Sequence, residues 1–165
     1  MEQLSSDTNV WLDFWHIKKT LLPFKLEYVY LMSCDAVQDE LLNPPSLKEK
    51  LLHSGLQQTQ LTTQEFYLSE TFAAKYIRLS RFDSMALAIA YERKIVLLTG
   101  DKALRKAAQA EGVRVIGTIA ILDQLLSEER IDVTEYICCI NKLKELNGTV
   151  VRLPQKELDE RLHKL

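Results

Sequence analysis

The apolar residues of this chain fall either in short continuous runs or in longer stretches with helical spacing. The runs at 27–32, 94–99 and 113–116 are rich in β-branched, aromatic and aliphatic residues and predict strands. The segment 3–6 is polar and only weakly strand-like. Helical spacing predicts helices at 10–21, 36–42, 47–53, 65–78, 84–93, 102–110 and 118–127. Because strands alternate with helices, the pattern predicts an α/β fold with a mostly parallel central sheet.

Several predicted helices carry recognisable start signals. Thr62 with Glu65, and Ser80 with Asp83, have the spacing of capping boxes, and Asp101 precedes the helix at 102–110. After residue 127 the pattern changes to a helix at 133–146, an extended piece at 149–153 and a last helix at 154–165. We therefore expect a domain over residues 1–130, with residues 131–165 forming a C-terminal helical extension of the same domain.

Composition places the chain among ordinary globular domains. It has 165 residues, of which 47% are hydrophobic and 27% charged, with only 5 Gly and 4 Pro, so it is neither disordered nor a disulfide-stapled miniprotein. Its 3 cysteines show no zinc-binding spacing, and we expect reduced, mostly buried thiols. No secretory signal and no apolar run of about 20 residues is present. The expected location is the cytoplasm, without membrane attachment.

The net charge of −2 conceals an uneven distribution. Residues 1–74 hold 5 Lys or Arg against 10 Asp or Glu, whereas residues 75–114 hold 9 against 4. A basic segment beside an acidic one is typical of a polyanion-binding flank next to a carboxylate-rich site. Lysines that simply solvate helix faces would give the same balance, and charge alone does not separate these readings.

Four acidic residues occupy special places in the α/β pattern. Asp7 precedes the helix at 10–21, Glu40 lies in the helix after strand 27–32, Asp83 opens the helix at 84–93, and Asp101 follows strand 94–99. In open parallel sheets, ligands bind where the carboxyl ends of strands meet helix N-termini. We therefore expect these four carboxylates to converge in one cleft.

Converging carboxylates need a counter-charge, because two unit charges about 4 Å apart repel by on the order of 4 kcal/mol at an effective dielectric of 20. No Lys, Arg or His triplet lies beside these acids in sequence, and Mg²⁺ or Mn²⁺ binds oxygen ligands readily. Two such ions would activate water and stabilise a leaving oxygen at a phosphodiester. Taken singly, each acid also has a local interpretation as a cap, a turn former or a solvated side chain.

The sequence around each acid resembles a motif of the PIN-domain nucleases. The four segments, in order, are SDTNVWL at 6–12, AVQDELL at 36–42, FDSMALAIA at 82–90 and LTGDKAL at 98–104. The resemblance covers residues 4–127, and the tail further resembles a prokaryotic subgroup, the VapC-like toxin ribonucleases, with a C-terminal helical extension. Asp39 is the alternative to Glu40 in the second motif, although the following Leu41 favours Glu40.

The resemblance implies a PIN-like three-layer α/β/α sandwich and metal-dependent cleavage of RNA. It implies that Asp7, Glu40, Asp83 and Asp101 are the catalytic and metal-ligating residues, with Asp7 and Asp101 central and Mg²⁺ or Mn²⁺ as cofactor. It also implies the toxin of a toxin–antitoxin pair, with an antitoxin protein as a possible partner and a homodimer as a possible assembly.

Further candidates come from neighbouring positions. Lys102, Arg105 and Lys106 share a helix face and could bind the RNA backbone, or only solvate the helix. Thr8, Asn9 and Thr99 could hydrogen-bond a carboxylate or a bound water, with local capping as the alternative. The rival functions are a non-catalytic PIN-like module that binds RNA or protein and, less favoured, a receiver-type phosphotransfer domain. The apolar stripes at 133–146 and 154–165 predict contacts with a second copy, with a partner, or with the domain itself.

Overall fold

A computed structural model describes residues 1–164 and contains a five-stranded sheet in which all strands are parallel. The strands are β1 (Glu2–Ser6), β2 (Tyr28–Ser33), β3 (Gln57–Thr59), β4 (Val96–Leu98) and β5 (Val115–Ile116), arranged in the order β3-β2-β1-β4-β5. The expected α/β fold with a parallel sheet is confirmed. Because β1 lies at the centre, the reversal of strand order places the sheet's switch point beside it, where ligands bind in such folds.

Helices cover both faces of the sheet. They are α1 (Thr8–His16), α2 (Cys34–Asp39), α3 (Leu47–Ser54), α4 (Thr63–Lys75), α5 (Arg81–Arg93), α6 (Lys102–Ala110), α7 (Thr118–Ser127), α8 (Val133–Leu146) and α9 (Gln155–His163), with a 3-10 helix at Leu22–Lys25. The capping boxes at Thr62 and Ser80 are both present. Each face of the sheet has its own apolar cluster. Successive side chains of a strand point to opposite faces, so in β4 Leu98 belongs to one cluster and Leu97 to the other.

Several predicted boundaries are wrong. The helix expected at 36–42 begins at Cys34 and ends at Asp39, so Glu40 lies just beyond it as its C-terminal cap. The helix expected at 10–21 ends at His16, because Lys18 adopts a left-handed conformation. Lys94 also adopts a left-handed conformation, at the end of α5. The strand expected to begin at residue 94 therefore begins at Val96. Strand β3 is missing from the prediction, because its sequence Gln-Gln-Thr has no apolar residue.

The prediction that the cysteines are mostly buried fails in part. All three are free thiols, but Cys139 is buried while Cys34 is partly buried and Cys138 is exposed. The two tryptophans of α1 also differ in burial. Trp11 is fully buried and stacks on Phe24, whereas Trp15, one turn later, is 38% exposed.

The apolar stripes of the tail pack against the rest of the chain. Tyr136, Ile140, Leu143 and Leu158 are buried and belong to the same cluster as Trp11. Of the three kinds of contact expected for the stripes, the structure therefore shows the one with the domain itself. The last leucine of the predicted stripe, at position 165, lies outside the described residues. Within residues 1–164, no helix is both long enough and apolar enough to cross a membrane.

Candidate active site

Asp7 lies at the carboxyl end of the central strand and is buried. Its main-chain amide donates to Leu98 O at 3.0 Å, which continues the pairing of β1 with β4. Its Oδ1 accepts from the Thr8 amide at 2.9 Å and thereby caps α1, while its Oδ2 accepts from the Thr99 hydroxyl at 3.0 Å. Both carboxylate oxygens are thus fixed by the protein, so the side chain is rigidly held at the sheet edge.

Asp83 and Asp101 each use one oxygen as a helix cap. Asp83 Oδ2 accepts from the Ser80 amide at 2.9 Å as the reciprocal half of the capping box of α5. Asp101 Oδ1 accepts from the Leu104 amide at 2.8 Å and caps α6. Within residues 1–164 no protein hydrogen bond engages the other oxygen of either group. The capping interpretation and the ligand interpretation are therefore compatible, because each carboxylate keeps one oxygen available.

Glu40 reaches the first helix from the end of α2. Its Oε1 accepts from the Thr8 hydroxyl at 2.7 Å, and its side chain is half-buried. The alternative acid, Asp39, is exposed to solvent. The structure therefore brings Glu40, and not Asp39, next to the loop that carries Asp7.

Electrostatic repulsion links the four carboxylates in pairs. Burial, followed by the charges of Asp83 and Glu40, raises the pKa of Asp7 from 3.8 to about 8. Burial is also the largest cause of the raised pKa values of Glu40 and Asp83, with the charge of Asp83 adding to the first and that of Asp101 to the second. Without a cation, Asp7 therefore holds a proton at neutral pH.

No Lys or Arg of residues 1–164 forms an ion pair with any of these four carboxylates. The ion pairs of this part of the chain all involve other acids, and no group of three Asp, Glu, His or Cys side chains in it is already arranged to hold a metal ion. Four carboxylates that lack an ion-paired partner form a donor set that suits a hard divalent cation. The residues present fit such an ion chemically, and binding it requires the carboxylates to draw together.

The three polar residues expected to support the acids are all in contact with this loop region. Thr8 links Asp7 to Glu40, as described above. The Thr99 hydroxyl, which donates to Asp7, also accepts from the Asp101 amide at 3.1 Å. Asn9 Oδ1 accepts from the Gly100 amide at 3.3 Å and so tethers the 99–101 loop to α1.

The basic residues of α6 lie directly after Asp101. Lys102 and Lys106 are exposed, and Arg105 is partly buried. Within the described part of the chain none of the three forms an ion pair with an acid. They therefore offer unneutralised positive charge next to the carboxylate cluster.

One buried acid near the site does not appear among the sequence candidates. Asp13 is 7% exposed and accepts from the Thr118 hydroxyl at 2.7 Å. Burial raises its pKa from 3.8 to about 6. A signal was present, because Asp13 falls on the apolar stripe formed by Val10, Phe14 and Ile17.

The ion pair between Arg81 and Asp35 was also missed. Arg81 Nη2 lies 2.8 Å from Asp35 Oδ2 and joins the start of α5 to the start of α2. The two residues are 46 positions apart, so no local pattern could have paired them.

Comparison with known proteins adds one positive result. A family model described as a PIN domain matches residues 5–165. No curated protein and no solved structure matches the chain. The family match covers nearly the whole chain and includes the parallel sheet and the loops that carry the four acids. This protein therefore belongs to the PIN-domain family, whose members are generally nucleases.

Proposed function

We propose that this protein is a divalent-metal-dependent ribonuclease that hydrolyses RNA phosphodiester bonds, and that it acts as the toxin of a toxin–antitoxin pair. The observation that carries the enzymatic part is the raised pKa of Asp7, at about 8, inside a group of carboxylates that no Lys or Arg of residues 1–164 neutralises. A site of this kind costs folding free energy unless a cation compensates it.

Asp7, Glu40, Asp83 and Asp101 would hold Mg²⁺ or Mn²⁺, with Asp7 and Asp101 as the central ligands. When bound, the cation would neutralise charge on the scissile phosphate and lower the pKa of an attacking water. The caps of α5 and α6 anchor one oxygen each of Asp83 and Asp101, so that the second oxygen of each can point into the cleft. Glu40 is held by Thr8 and can orient a water molecule.

The remaining polar and basic residues would hold the acids in place and contact the RNA. Thr99 holds Oδ2 of Asp7 and lowers the pKa of that carboxyl, which favours the charged form needed for a ligand. Lys102, Arg105 and Lys106 would contact the phosphates of the RNA next to the cleft, where the positive N-terminal end of α6 adds to their attraction. Asn9 would keep the 99–101 loop in position.

The test is cleavage of a labelled single-stranded RNA by the purified protein with Mn²⁺, with Mg²⁺ and with EDTA. We expect cleavage with either ion, none in EDTA, and at least a 100-fold loss for Asp7→Asn or Asp101→Asn, on the order of 3 kcal/mol in the barrier. Asp39→Asn is the matched control, because it removes an exposed acid beside Glu40.

Cleavage that persists in EDTA, or in both Asn variants, would refute the metal mechanism. Binding of RNA without any cleavage would favour the rival function of a non-catalytic module. The toxin assignment is tested separately by inducing the gene in a bacterial host. Growth should stop with the wild-type chain and continue with Asp7→Asn.

A further inference from the structure

A groove opens beside the acidic cleft, between the start of α2, the loop after β3 and the first turns of α4. Its volume is about 320 Å³, at the lower end of the range for small-ligand pockets. Cys34, Met85, Phe66 and Tyr67 line it together with residues 59–63, which are polar except for Leu61. None of these residues has a role in the function proposed above.

The groove and the acids share one edge of the sheet. Cys34 follows β2 directly, and Thr59 ends β3, while Asp7 follows β1, to which β2 is paired. Met85 lies on α5 two residues after Asp83. The groove therefore continues the acidic cleft sideways along the carboxyl ends of the strands.

Two exposed aromatic rings form the wall contributed by α4. Phe66 is 46% and Tyr67 67% exposed, and their ring centroids lie 6.1 Å apart at an interplanar angle of 66°. Phe72, further along the same helix, is buried, so the core does not require the outer pair. Adjacent exposed aromatic side chains within a concave groove are typical of surfaces on which unpaired bases stack.

The loop that leads into α4 supplies further lining residues, and most of them are polar. Arg93 donates to the Thr59 hydroxyl at 3.0 Å, to Gln60 O at 3.2 Å and to Glu65, so the loop at 59–62 is fixed to α5. The first-turn amide of Thr63 has no partner within its own helix. Amide, carbonyl and hydroxyl groups at the rim match the donors and acceptors on the edge of a nucleobase.

The charge at the groove suits an uncharged ring rather than a phosphate. Asp35, which lines it, is paired with Arg81 at 2.8 Å, so the local charge is close to balanced. Phosphates are instead attracted to the basic face of α6 and to a cation in the acidic cleft. A ribonucleotide strand can thus place its backbone along the cleft and a base in the groove.

We infer that the groove is a base-binding subsite, in which an unpaired nucleobase of the RNA close to the cleaved bond stacks on Phe66 or Tyr67. The inference rests on the proposed ribonuclease function and extends it, since it makes the substrate single-stranded at that position. A base within a duplex stays stacked on its neighbours and cannot enter the groove.

The experiment combines an abasic substrate with an aromatic variant. A short single-stranded RNA is prepared with one abasic nucleotide at each position in turn around the cleaved bond. The wild-type protein should lose about 5- to 150-fold in kcat/KM at one of these positions, the range expected for one base–aromatic stack. The double variant Phe66→Leu with Tyr67→Leu should show a similar loss of kcat/KM on intact RNA. Its kcat/KM should fall no further when that base is missing from the RNA.

Tyr91→Leu is the matched control, because Tyr91 is 43% exposed on α5 and does not line the groove. This variant should cleave intact RNA at the wild-type rate, and the missing base should lower its kcat/KM as much as it does for the wild-type protein. The inference is overturned if the double variant cleaves intact RNA at the wild-type rate. It is also overturned if the missing base lowers the kcat/KM of the double variant as much as that of the wild-type protein. Circular dichroism and the melting temperature verify that the double variant is folded.

A binding measurement separates failure of the subsite from failure of the nuclease. In Asp7→Asn with Asp101→Asn, two negative charges of the cleft are gone, and RNA affinity can be measured without cleavage. In this background, affinity for the series of abasic RNAs identifies the position at which a missing base weakens binding. Adding Phe66→Leu and Tyr67→Leu should weaken binding of intact RNA but not of the RNA that is abasic at that position. If this holds while the wild-type protein cleaves nothing, the subsite stands and the ribonuclease proposal falls. If RNA affinity is unaffected, the aromatic pair serves another partner and the inference is wrong.

Discussion

Thr99 donates its hydroxyl proton to Oδ2 of Asp7 at 3.0 Å, across 92 positions of sequence. The contact exists because β1 and β4 are adjacent parallel strands, so their carboxyl ends lie side by side. Since the Thr99 hydroxyl also accepts from the Asp101 amide at 3.1 Å, one buried side chain joins two of the four acids. The geometry of the cleft therefore depends on a residue that is itself uncharged.

Replacing Thr99 by Val should damage the cleft without changing the shape of the side chain much. The substitution leaves a buried carboxylate oxygen without its donor, and we expect a loss of about 1–3 kcal/mol in the free energy of unfolding. Because the Thr99 bond lowers the pKa of Asp7, that pKa should rise further, and Mn²⁺ should bind more weakly. Urea unfolding and Mn²⁺ titration measure the two effects. The control Thr71→Val, at an exposed position of α4, should change stability by less than about 0.5 kcal/mol.

Metal binding should depend on pH in a defined direction. The pKa of Asp7 is about 8 in the folded protein, so at pH 5 a proton occupies the carboxylate and competes with the ion. Millimolar Mn²⁺ should therefore raise the melting temperature more at pH 8 than at pH 5. The variant Asp7→Asn should lose the shift at both pH values, whereas Glu92→Gln, at an exposed acid of α5, should keep it. An equal shift at pH 5 and pH 8 would contradict the assignment of Asp7 as a ligand.

Asp13 should contribute a separate pH dependence of stability. Its pKa is about 6 when folded and 3.8 ordinarily, so between these values the folded protein holds a proton that the unfolded chain releases. The free energy of unfolding should then fall as pH rises from about 4 to 6, by up to about 1.4 kcal/mol per pH unit for one proton.

In Asp13→Asn this fall should become less steep by the contribution of one proton, because the amide oxygen can still accept from Thr118 but no longer titrates. Part of the fall should remain, since Asp7, with a pKa of about 8, also holds a proton in the folded protein over this range. Urea unfolding at several pH values compares the variant with the wild-type chain. The same slope in both proteins would show that Asp13 is not the titrating group.

The sequence patterns predicted the elements whose residues are buried in the core or cap a helix. Continuous apolar runs predicted β2, β4 and β5, because buried parallel strands have no polar face. The capping residues at Thr62, Ser80 and Asp101 predicted helix starts, since caps are local interactions. The edge strand β3 could not be predicted in this way, because its residues are polar and only its pairing with β2 defines it.

Only part of the candidate site could be predicted from the sequence. Asp83 looked equally suited to capping and to binding a ligand, and the structure shows that one oxygen caps while no protein group of residues 1–164 bonds the other. Glu40 was placed inside a helix, but α2 ends one residue earlier, and the direction of its side chain follows from Thr8 on another element. Contacts such as Arg81 with Asp35 depend on chain folding over long separations, which no local pattern encodes.

The tail should be essential for folding, because its apolar residues complete the core. Leu158 of α9 is fully buried in the cluster that contains Trp11. Leu158→Ala should lower the free energy of unfolding by about 2–5 kcal/mol, through lost burial and the cavity left behind. Leu42→Ala is the control, since Leu42 is 58% exposed, and it should change stability little. A Leu158→Ala protein as stable as the wild type would show that α9 does not contribute to the core and would favour contacts with a second copy or a partner.

The basic residues of α6 should be visible in the salt dependence of RNA binding. Lys102 and Lys106 are exposed and follow Asp101 at the start of the helix. Each phosphate contact releases counterions, so for single-stranded RNA the logarithm of affinity should fall with the logarithm of salt concentration by about 0.7 for each contact. The variant with Lys102→Gln and Lys106→Gln should bind more weakly and show a shallower slope.

The measurement uses fluorescence anisotropy of labelled RNA between low and moderate salt, in the Asp7→Asn background so that the RNA remains intact. The matched control changes Lys25 and Lys156 to Gln, which removes the same charge from exposed positions on other elements. If only net charge matters, both double variants will lose affinity and slope equally. If the α6 pair contacts phosphates, its variant alone will lose slope, because counterion release depends on direct contacts rather than on the total charge of the protein.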